Sequence, residues 1–232
     1  MKSLANISEI FIFLTLTLIL SIVTINQASA STLEVPIDFE YSNGTEPAGI
    51  TPWATATFID KSPNTVTLTM SAANLVDSEF ISVWLFNFDP ILNPDLLSFI
   101  SVGTTSSGPV SIAIGANNFK AGPSKLYDIE FSFPTSNGKS SNRFTAGESL
   151  VYDITYTGAG TINVSSFNFK STSDGGEGPY LSAVHIQSID PGGKSGWVSS
   201  TTVVPEPVSS VLFFVGGTAL VARHSWKKRR RS

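Results

Sequence analysis

Four carboxylates in the middle of the sequence have types and spacings that would allow acid–base chemistry. Asp128 and Glu130 are two positions apart in "YDIEF", so their side chains share one face if this segment is a β-strand. Glu148 and Asp153 are expected on a neighbouring strand. A glycoside hydrolase would need two such carboxyl groups roughly 5–10 Å apart in a cleft. The alternative interpretation, which we favour, is that all four lie on the solvated outer face of an acidic protein.

The remaining residue types offer little for catalysis or metal binding. There is no cysteine, which excludes disulfides, thiolate metal sites and a cysteine nucleophile. His185 in "SAVHIQSI" is the single histidine outside the C-terminal tail, and no G-x-S-x-G motif is present. We expect His185 to be a strand residue near a sheet face, and we expect no zinc, no cofactor and no enzymatic activity. The loop "SDGGEG" (Ser173–Gly178) has two carboxylates without the spacing of a calcium-binding loop, so calcium binding there stays open.

The segments that would position these residues have the alternating pattern of β-strands. In "NTVTLTM", Val66, Leu68 and Met70 point to one face and threonines to the other. "WATATFID" (Trp53–Asp60) alternates in the same way, and "KSPN" connects the two, which predicts a β-hairpin. "EFISVWLFNFDP" is apolar on both faces and predicts a central, buried strand that stops before Pro90.

Further segments extend this pattern to eight to ten strands. They are "PVSIAIG", "YDIEFSFP", "LVYDITYTG", "TINVSSFNFK" and "SAVHIQSI". One helix is considered, around "NPDLLSFI" (Asn93–Ile100). The phenylalanine pairs in "FNFD", "FSFP" and "FNFK" are interpreted as core residues. Strands at this spacing without alternating helices predict an all-β body, an antiparallel β-sandwich or jelly roll.

The charge distribution separates the body from the tail. Residues 31–204 contain seven basic and sixteen acidic residues, a net charge of about −9, whereas six basic residues lie in the last ten positions. Because such an acidic body repels phosphate backbones, we expect no nucleic-acid partner.

The N-terminal segment has the features of a secretory signal peptide. Lys2 precedes an uncharged apolar stretch from Ile10 to Ile25, and Ala28-Ser29-Ala30 has small residues at the −3 and −1 positions of a cleavage site. Cleavage after Ala30 by the general secretory machinery would make Ser31 the mature N terminus. An uncleaved membrane anchor is the alternative.

The C-terminal segment has the features of a short transmembrane helix. Val208 to Ala222 are fifteen residues without a charge, and a helix of this length would be about 22 Å long. Trp226 can lie at one membrane–water interface. The positive-inside tendency would keep the basic end in the cytoplasm and the body outside. These basic residues are Arg223, Lys227, Lys228, Arg229, Arg230 and Arg231.

The tripeptide Pro205-Glu206-Pro207 precedes this apolar run. Prolines cannot lie inside a helix and have no N–H group, so we expect an exposed, extended linker that does not pair with the sheets. "VPEP", the apolar run and "KKRRR" together resemble the PEP-CTERM sorting signal of Gram-negative bacteria over Val203 to Ser232. The resemblance implies that a membrane-embedded exosortase recognises the tripeptide and cuts near it, with the catalytic groups belonging to the exosortase.

These observations predict a domain organisation and a function. We expect a signal peptide (1–30), a β-sandwich ectodomain (31–200), a linker with the tripeptide (201–207), a transmembrane helix (208–226) and a cytoplasmic tail (227–232). The predicted function is a non-catalytic cell-envelope or extracellular-matrix protein with a surface or biofilm role, first held in the inner membrane as a precursor. A carbohydrate-binding module for exopolysaccharide is the alternative. It would require exposed aromatic residues among Trp53, Trp84 and Trp197, although Trp84 is expected in the core.

Overall fold

The computed structural model describes residues 30–104, 108–109, 111–122, 125–136, 142–173, 178–200 and 204–205. These residues form an all-β fold with two short 3-10 segments, Pro94–Leu96 and Val164–Phe167, which confirms the prediction of an all-β body. The strands are β1 (Thr32–Ile37), β2 (Phe39–Glu40), β3 (Ala54–Ser62), β4 (Thr65–Ser71), β5 (Phe80–Phe86), β6 (Leu97–Thr104), β7 (Ser111–Ala121), β8 (Lys125–Ser132), β9 (Phe144–Thr145), β10 (Ser149–Tyr156), β11 (Thr172–Ser173), β12 (Ser182–Ile189), β13 (Lys194–Ser200) and β14 (Val204–Pro205).

The strands form two antiparallel sheets. The first sheet has the order β14-β1-β3-β4-β10-β6, and the second has the order β11-β8-β5-β12-β13-β2. In the second sheet β7 also pairs with β8, and β9 pairs with β5. Most strands that pair with each other are not consecutive in sequence, so the chain crosses between the sheets repeatedly.

The predicted hairpin is formed by β3 and β4. Their register places Phe58 opposite Leu68 and Ala56 opposite Met70, and all four side chains are buried. Thr57 and Thr69 face each other on the opposite side of the sheet and are partly exposed. The alternation in the sequence therefore identified both the strands and the face that enters the core.

The predicted central strand is β5. It lies between β8 and β12, and six of its seven residues are buried. Trp84 and Phe86 point into the space between the sheets, and Trp84 donates a hydrogen bond from Nε1 to Ser182 Oγ at 3.0 Å. A strand with sheet neighbours on both sides and packing on both faces has no polar side, which explains its continuous apolar sequence.

The two sheets share one hydrophobic core. Aromatic rings of one sheet contact aromatic rings of the other within this core. Phe58 of the first sheet meets Phe86 of the second edge-on at 5.5 Å between ring centroids, and Phe131 of the second sheet contacts Phe99 and Tyr152 of the first. Leu85 and Ala183 alternate with core residues along β5 and β12, and they belong to a second, smaller cluster on the opposite face of the second sheet.

Two predictions of local structure are wrong. The segment Asn93–Ile100 is one 3-10 turn, Pro94–Leu96, capped by Asn93 Oδ1, which accepts the Asp95 N–H; it ends there because the residues from Leu97 onwards pair with β10 as strand β6. "TINVSSFNFK" contains the 3-10 turn Val164–Phe167, which Asn163 and Ser166 close with a capping box. In this second segment local side-chain hydrogen bonds replace the expected strand ladder.

The segment "GGKSGWVSSTTV", which is rich in glycine and serine, contains strand β13. It pairs with β12 on one side and with β2 on the other, and Val198, Ser199 and Ser200 are buried. The hydroxyl of Ser199 donates to the carbonyl of Ser182 at 2.9 Å. Serine can therefore occupy a buried strand position here because its polar group is satisfied.

The expectation that the proline segment does not pair with a sheet is also wrong at its first residues. β14 pairs with β1, with Val204 opposite Glu34 and Pro205 opposite Leu33. This pairing extends the first sheet by two residues at its edge, where a proline without an N–H group is tolerated.

The predicted signal peptide, with the exception of Ala30, and the predicted transmembrane helix lie outside the described residues. Within the part of the chain that the structure describes, none of the helical segments is long and apolar enough to cross a membrane.

Candidate functional site

A cleft opens where β5 leaves the second sheet. The last β5 residue in the ladder, Phe86, pairs with Ile129 of β8. Two residues later Phe88 donates its main-chain N–H to Oδ2 of Asp128 at 2.8 Å instead of to a main-chain carbonyl. The side chain of Asp128 therefore takes the place of the next strand partner and lets the chain turn away towards Pro90.

An irregularity in β7 forms another part of the cleft. The register between β7 and β8 shifts between Ile114 and Phe119, so the intervening residues bulge out of the ladder. Asn117 lies in this bulge with a φ of 51°, a left-handed conformation that asparagine tolerates. Its main-chain N–H donates to Oδ1 of Asp128 at 2.7 Å. The same carboxylate thus holds both the end of β5 and the bulge of β7.

The register of β8 explains the position of Asp128. β5 pairs with β8 from Ile129 onwards, and β11 pairs with Leu126 and Lys125, so Asp128 lies between these two ladders. Thr172 of β11 donates from Oγ1 to Oδ1 of Asn117 at 2.6 Å, which ties β11 to the bulge. Three separate segments of the chain therefore meet around one carboxylate.

The resulting cleft has an apolar and a polar part and a volume of about 150 Å³. Its apolar part is formed by Phe88, Pro90, Leu92, Pro94 and Phe169. Its polar part is formed by Asn87, Asp89, Asn117, Asp128, Lys170 and Thr172. A small number of fixed polar groups beside aromatic and aliphatic side chains is the usual composition of a site for a small ligand.

The polar groups of the cleft are held in place by the protein. Asn87 is buried and donates from Nδ2 to the carbonyls of Tyr180 and Leu181, at 3.2 and 3.0 Å. Asp89 accepts the main-chain N–H of Ile91 at 3.0 Å. Because these side chains are already oriented, a ligand that binds here does not have to order them.

The four carboxylates singled out in the sequence lie on both sheets and in the turn before β10. Asp128 and Glu130 lie on β8 of the second sheet, where Glu130 accepts Ser132 Oγ at 2.8 Å. Asp153 lies on β10 of the first sheet, between the core residues Tyr152 and Ile154, and therefore faces away from the second sheet. Glu148 caps the turn before β10 by accepting the N–H of Thr145 at 2.6 Å.

Asp153 has a structural role on the outer face of the first sheet. It accepts hydrogen bonds from Lys61 Nζ at 2.5 Å and from Thr67 Oγ1 at 2.8 Å. The hydrogen bond from Lys61 holds the pKa of this carboxyl below its usual value. This agrees with the interpretation of Asp153 as a residue of a solvated face.

His185 lies on β12, as expected, and contacts residues of the outer face of its sheet. Its Nδ1 is 2.9 Å from Ser82 Oγ, and Gln187 Nε2 is 3.1 Å from the same oxygen. The imidazole stacks on Trp197 with 4.8 Å between ring centroids. Burial lowers the pKa of His185, which favours the neutral ring.

The three tryptophans that the structure describes do not form an exposed line. Trp53 and Trp84 are buried, and their Nε1 groups donate to Gly49 O and Ser182 Oγ. Trp197 is half-buried against His185. The expectation that Trp84 is a core residue is confirmed, whereas an aromatic platform built from these three residues is not present.

A second polar feature is a group of tyrosines in the smaller cluster. Tyr41 and Tyr180 pack with 4.6 Å between ring centroids, and the hydroxyls of Tyr41 and Tyr127 are buried without a hydrogen bond of normal geometry. Burial is the main cause that raises the pKa of both phenols, and Ser171 beside Tyr127 opposes it. Both side chains therefore stay neutral packing groups.

The remaining predicted site residues lie near or beyond the limits of the described chain. Ala30 and Ser31 are exposed and precede β1, and Pro205 lies in β14. Ala28, Glu206, Pro207 and the basic residues of the tail lie outside the described residues, as do residues 174–177 of the candidate calcium loop. Among the described residues no three histidine or acidic side chains come together in a metal-binding group.

Sequence reasoning missed most of the cleft. The sequence pattern singles out Asp128 as a candidate acid or a residue of the solvated face, and it does not single out Asn87, Asn117 or Thr172. Phe169 in "FNFK" was interpreted as a core residue, yet it is partly exposed and lines the cleft, whereas Phe167 is buried. The available signal was the pair Asn117-Asn118 inside a strand-like segment, because adjacent asparagines are unfavourable in a regular strand.

Neither a protein-family model, nor a curated protein, nor a solved structure matches this chain at a significant level.

Proposed function

We propose that the chain is an exported, non-catalytic cell-envelope or extracellular-matrix protein with a β-sandwich body of jelly-roll type. The proposal rests on one observation, the resemblance of Val203 to Ser232 to a PEP-CTERM sorting signal. The signal-peptide features of residues 1–30 support export, because sorting of this kind acts on a chain that has already entered the membrane.

In this proposal the general secretory machinery exports the chain and the apolar run holds it in the inner membrane of a Gram-negative cell. The basic tail stays in the cytoplasm, and an exosortase recognises Pro205-Glu206-Pro207 on the outer side. The body then reaches the envelope or the extracellular matrix, where its role is a surface or biofilm function. The short pairing of Val204–Pro205 with β1 would keep the recognition motif close to the body until processing.

Fractionation of cells with and without the exosortase tests this proposal. With the enzyme, we expect a shortened protein in the envelope or the medium. Without it, we expect the full-length precursor in the inner membrane, and complementation with the enzyme restores processing. The same mass and the same location in both strains would show that the tail is an ordinary anchor.

A second candidate function is binding of exopolysaccharide, which the cleft beside Asp128 favours. The cleft offers a fixed carboxylate, amide groups and a partly exposed aromatic side chain, which are groups that proteins use to hold hydroxyl-rich rings. We expect the purified processed protein to be depleted from solution by exopolysaccharide isolated from the producing cells. Protein that remains in solution at every polysaccharide concentration would exclude this function.

A further inference from the structure

The cleft beside Asp128 has features that define its ligand more narrowly. We propose that it binds one neutral pyranose ring at the end of a glycan. The proposal rests on the second candidate function above and adds the site, the number of sugar rings and their charge.

The acceptors for sugar hydroxyls are the oxygens of Asp128. Each oxygen accepts one main-chain N–H, from Asn117 at 2.7 Å and from Phe88 at 2.8 Å. A carboxylate has about four acceptor positions, so each oxygen can accept a further hydrogen bond from a ligand. Two neighbouring hydroxyls of a pyranose present donors to such a pair of oxygens, and the two main-chain bonds prevent the carboxylate from rotating away.

The apolar part of the cleft fits the C–H face of a sugar ring. Phe169 lines the cleft and is partly exposed, so its ring can contact a ligand. Phe88 also lines the cleft but is 2% exposed. Pyranose rings have one face that is mostly C–H groups, and such faces pack on aromatic side chains. Lys170 and Asn117 supply donors at the polar part, which suits the oxygens of the same ring.

The size of the cleft limits the ligand to one ring. Its volume of about 150 Å³ is below the roughly 300–1,000 Å³ of sites for drug-sized ligands. An internal residue of a polysaccharide would need openings for the chain on two sides, whereas a terminal residue needs one. The end of a glycan therefore fits the cleft better than its middle.

The charge of the cleft excludes acidic sugars. Two acidic residues, Asp89 and Asp128, line the cleft, whereas its described lining residues include one cation, Lys170. Residues 31–204 have a net charge of about −9. A uronate carboxylate would be placed beside two carboxylates of the protein, and like charges at such short range disfavour binding. A neutral hexose avoids this repulsion.

Amide NMR spectra of the processed protein during titration with methyl pyranosides test the proposal. A single ring makes few contacts, so we expect dissociation constants of about millimolar, with saturable shifts of the Phe88 and Asn117 amide signals. Methyl glucuronide should bind at least about tenfold more weakly than the matching neutral glycoside, because its carboxylate is repelled by Asp89 and Asp128. Free hexoses are titrated as well because they have the free anomeric hydroxyl of a reducing end, and the absence of saturable shifts with every methyl pyranoside and every free hexose would overturn the proposal.

Two variants and one control locate the binding. Ala116 is exposed and lines the cleft, so Ala116→Trp fills it without removing a hydrogen bond, and Phe169→Ala removes the aromatic face. We expect about tenfold or greater weakening in either variant. Ala73→Trp adds the same side chain at an exposed position outside the cleft and should bind like the parent protein.

The outcomes separate this proposal from the function on which it rests. If Ala116→Trp and Phe169→Ala still bind glycosides as the parent does, the cleft is not the site. If those variants no longer bind glycosides, the cleft is the binding site. If the parent protein also binds whole exopolysaccharide, both proposals are supported. If the protein binds polysaccharide but the amide signals of Phe88 and Asn117 do not shift, the cleft is not the binding site, although the second candidate function is still supported.

Discussion

At the scale of single residues, carboxylates that accept main-chain N–H groups organise the loops of this protein. Asp128 holds β5 and β7 at the cleft, and Glu79 acts in the same way at another position. Glu79 is 1% exposed and accepts the main-chain N–H groups of Ala48 at 2.7 Å and Val76 at 3.0 Å. One side chain thus joins the loop before β3 to the turn before β5.

Glu79→Ala should destabilise the body strongly. The substitution removes a buried side chain that is the acceptor of two partly buried main-chain N–H groups, and we expect a loss of about 3 kcal/mol in the free energy of unfolding. Urea denaturation followed by tryptophan fluorescence measures this change. Glu46→Ala, at an exposed position of the same loop, should change the free energy by less than about 0.5 kcal/mol. Equal effects of the two substitutions would contradict the role of Glu79.

His185 makes the stability of the body depend on pH. Burial lowers the pKa of its ring below the ordinary value of 6.5, so the unfolded chain binds the proton more strongly than the folded one. The stability that the neutral ring contributes is fully present above about pH 6.5, and it is lost as the pH falls from there through the lower folded pKa.

His185→Gln should reduce this pH dependence. We expect a smaller loss of unfolding free energy between about pH 7 and pH 5 in the variant than in the parent protein, because the titrating group is gone. Urea denaturation at both pH values measures the difference, and His224 contributes equally to both proteins. Parallel pH profiles would show that protonation of His185 does not affect folding.

At the scale of elements, the two edges of the first sheet differ. On one side β14 covers two residues of β1. On the other side β6 ends the strand order, and no described strand pairs with its outer edge. Its sequence "LSFISVGT" has no charge and no proline, and Ile100 and Val102 are 57% and 50% exposed. Such an edge can pair with further strands.

Ile100→Lys should reduce self-association of the purified body. A charge on an exposed edge strand opposes pairing with another edge, and the substitution removes no buried contact. Light scattering during refolding at high protein concentration measures the effect. Ile59→Lys is the matched control because Ile59 is also exposed, on a strand that is paired on both sides. If both variants reduce scattering equally, net charge and not the β6 edge is responsible.

At the scale of the whole molecule, the body and the tail are expected to act independently. The two sheets are held together by the shared core, whereas β14 adds two residues at an edge. Removing a short edge pairing costs far less than removing core contacts, because few groups lose partners. The tail can therefore be changed without unfolding the body.

Replacement of Pro205-Glu206-Pro207 by three alanines should leave the body folded and stop processing. Alanine can still pair as an edge strand, and the proposed recognition motif is lost. Near-ultraviolet circular dichroism of the purified protein checks the fold, and immunoblotting of membrane fractions checks the size. Ser209 and Ser210 changed to alanine serve as a control that leaves the motif intact. A triple variant that matures to the size of the parent would exclude the tripeptide as the signal.

The sequence alone determined the fold class and the elements whose pattern is local. Val66, Leu68 and Met70 alternate with threonines, and this period of two marks both β4 and its buried face. The continuous apolar sequence of β5 likewise indicated a strand buried on both faces. The predictions for the two ends of the chain also derive from local sequence features, the apolar runs and their flanking charges.

Tertiary structure alone decided the elements whose partners are distant in sequence. β13 is rich in serine and glycine and has weak intrinsic preference for a strand, yet β12 and β2 pair with it on both sides. The cleft depends on the register of β5, β7 and β11 against β8, which brings Asp128 to Phe88 and Asn117. Local periodicity contains no information on which strands become neighbours, because the hydrogen bonds and packing that select them form between segments far apart in the chain.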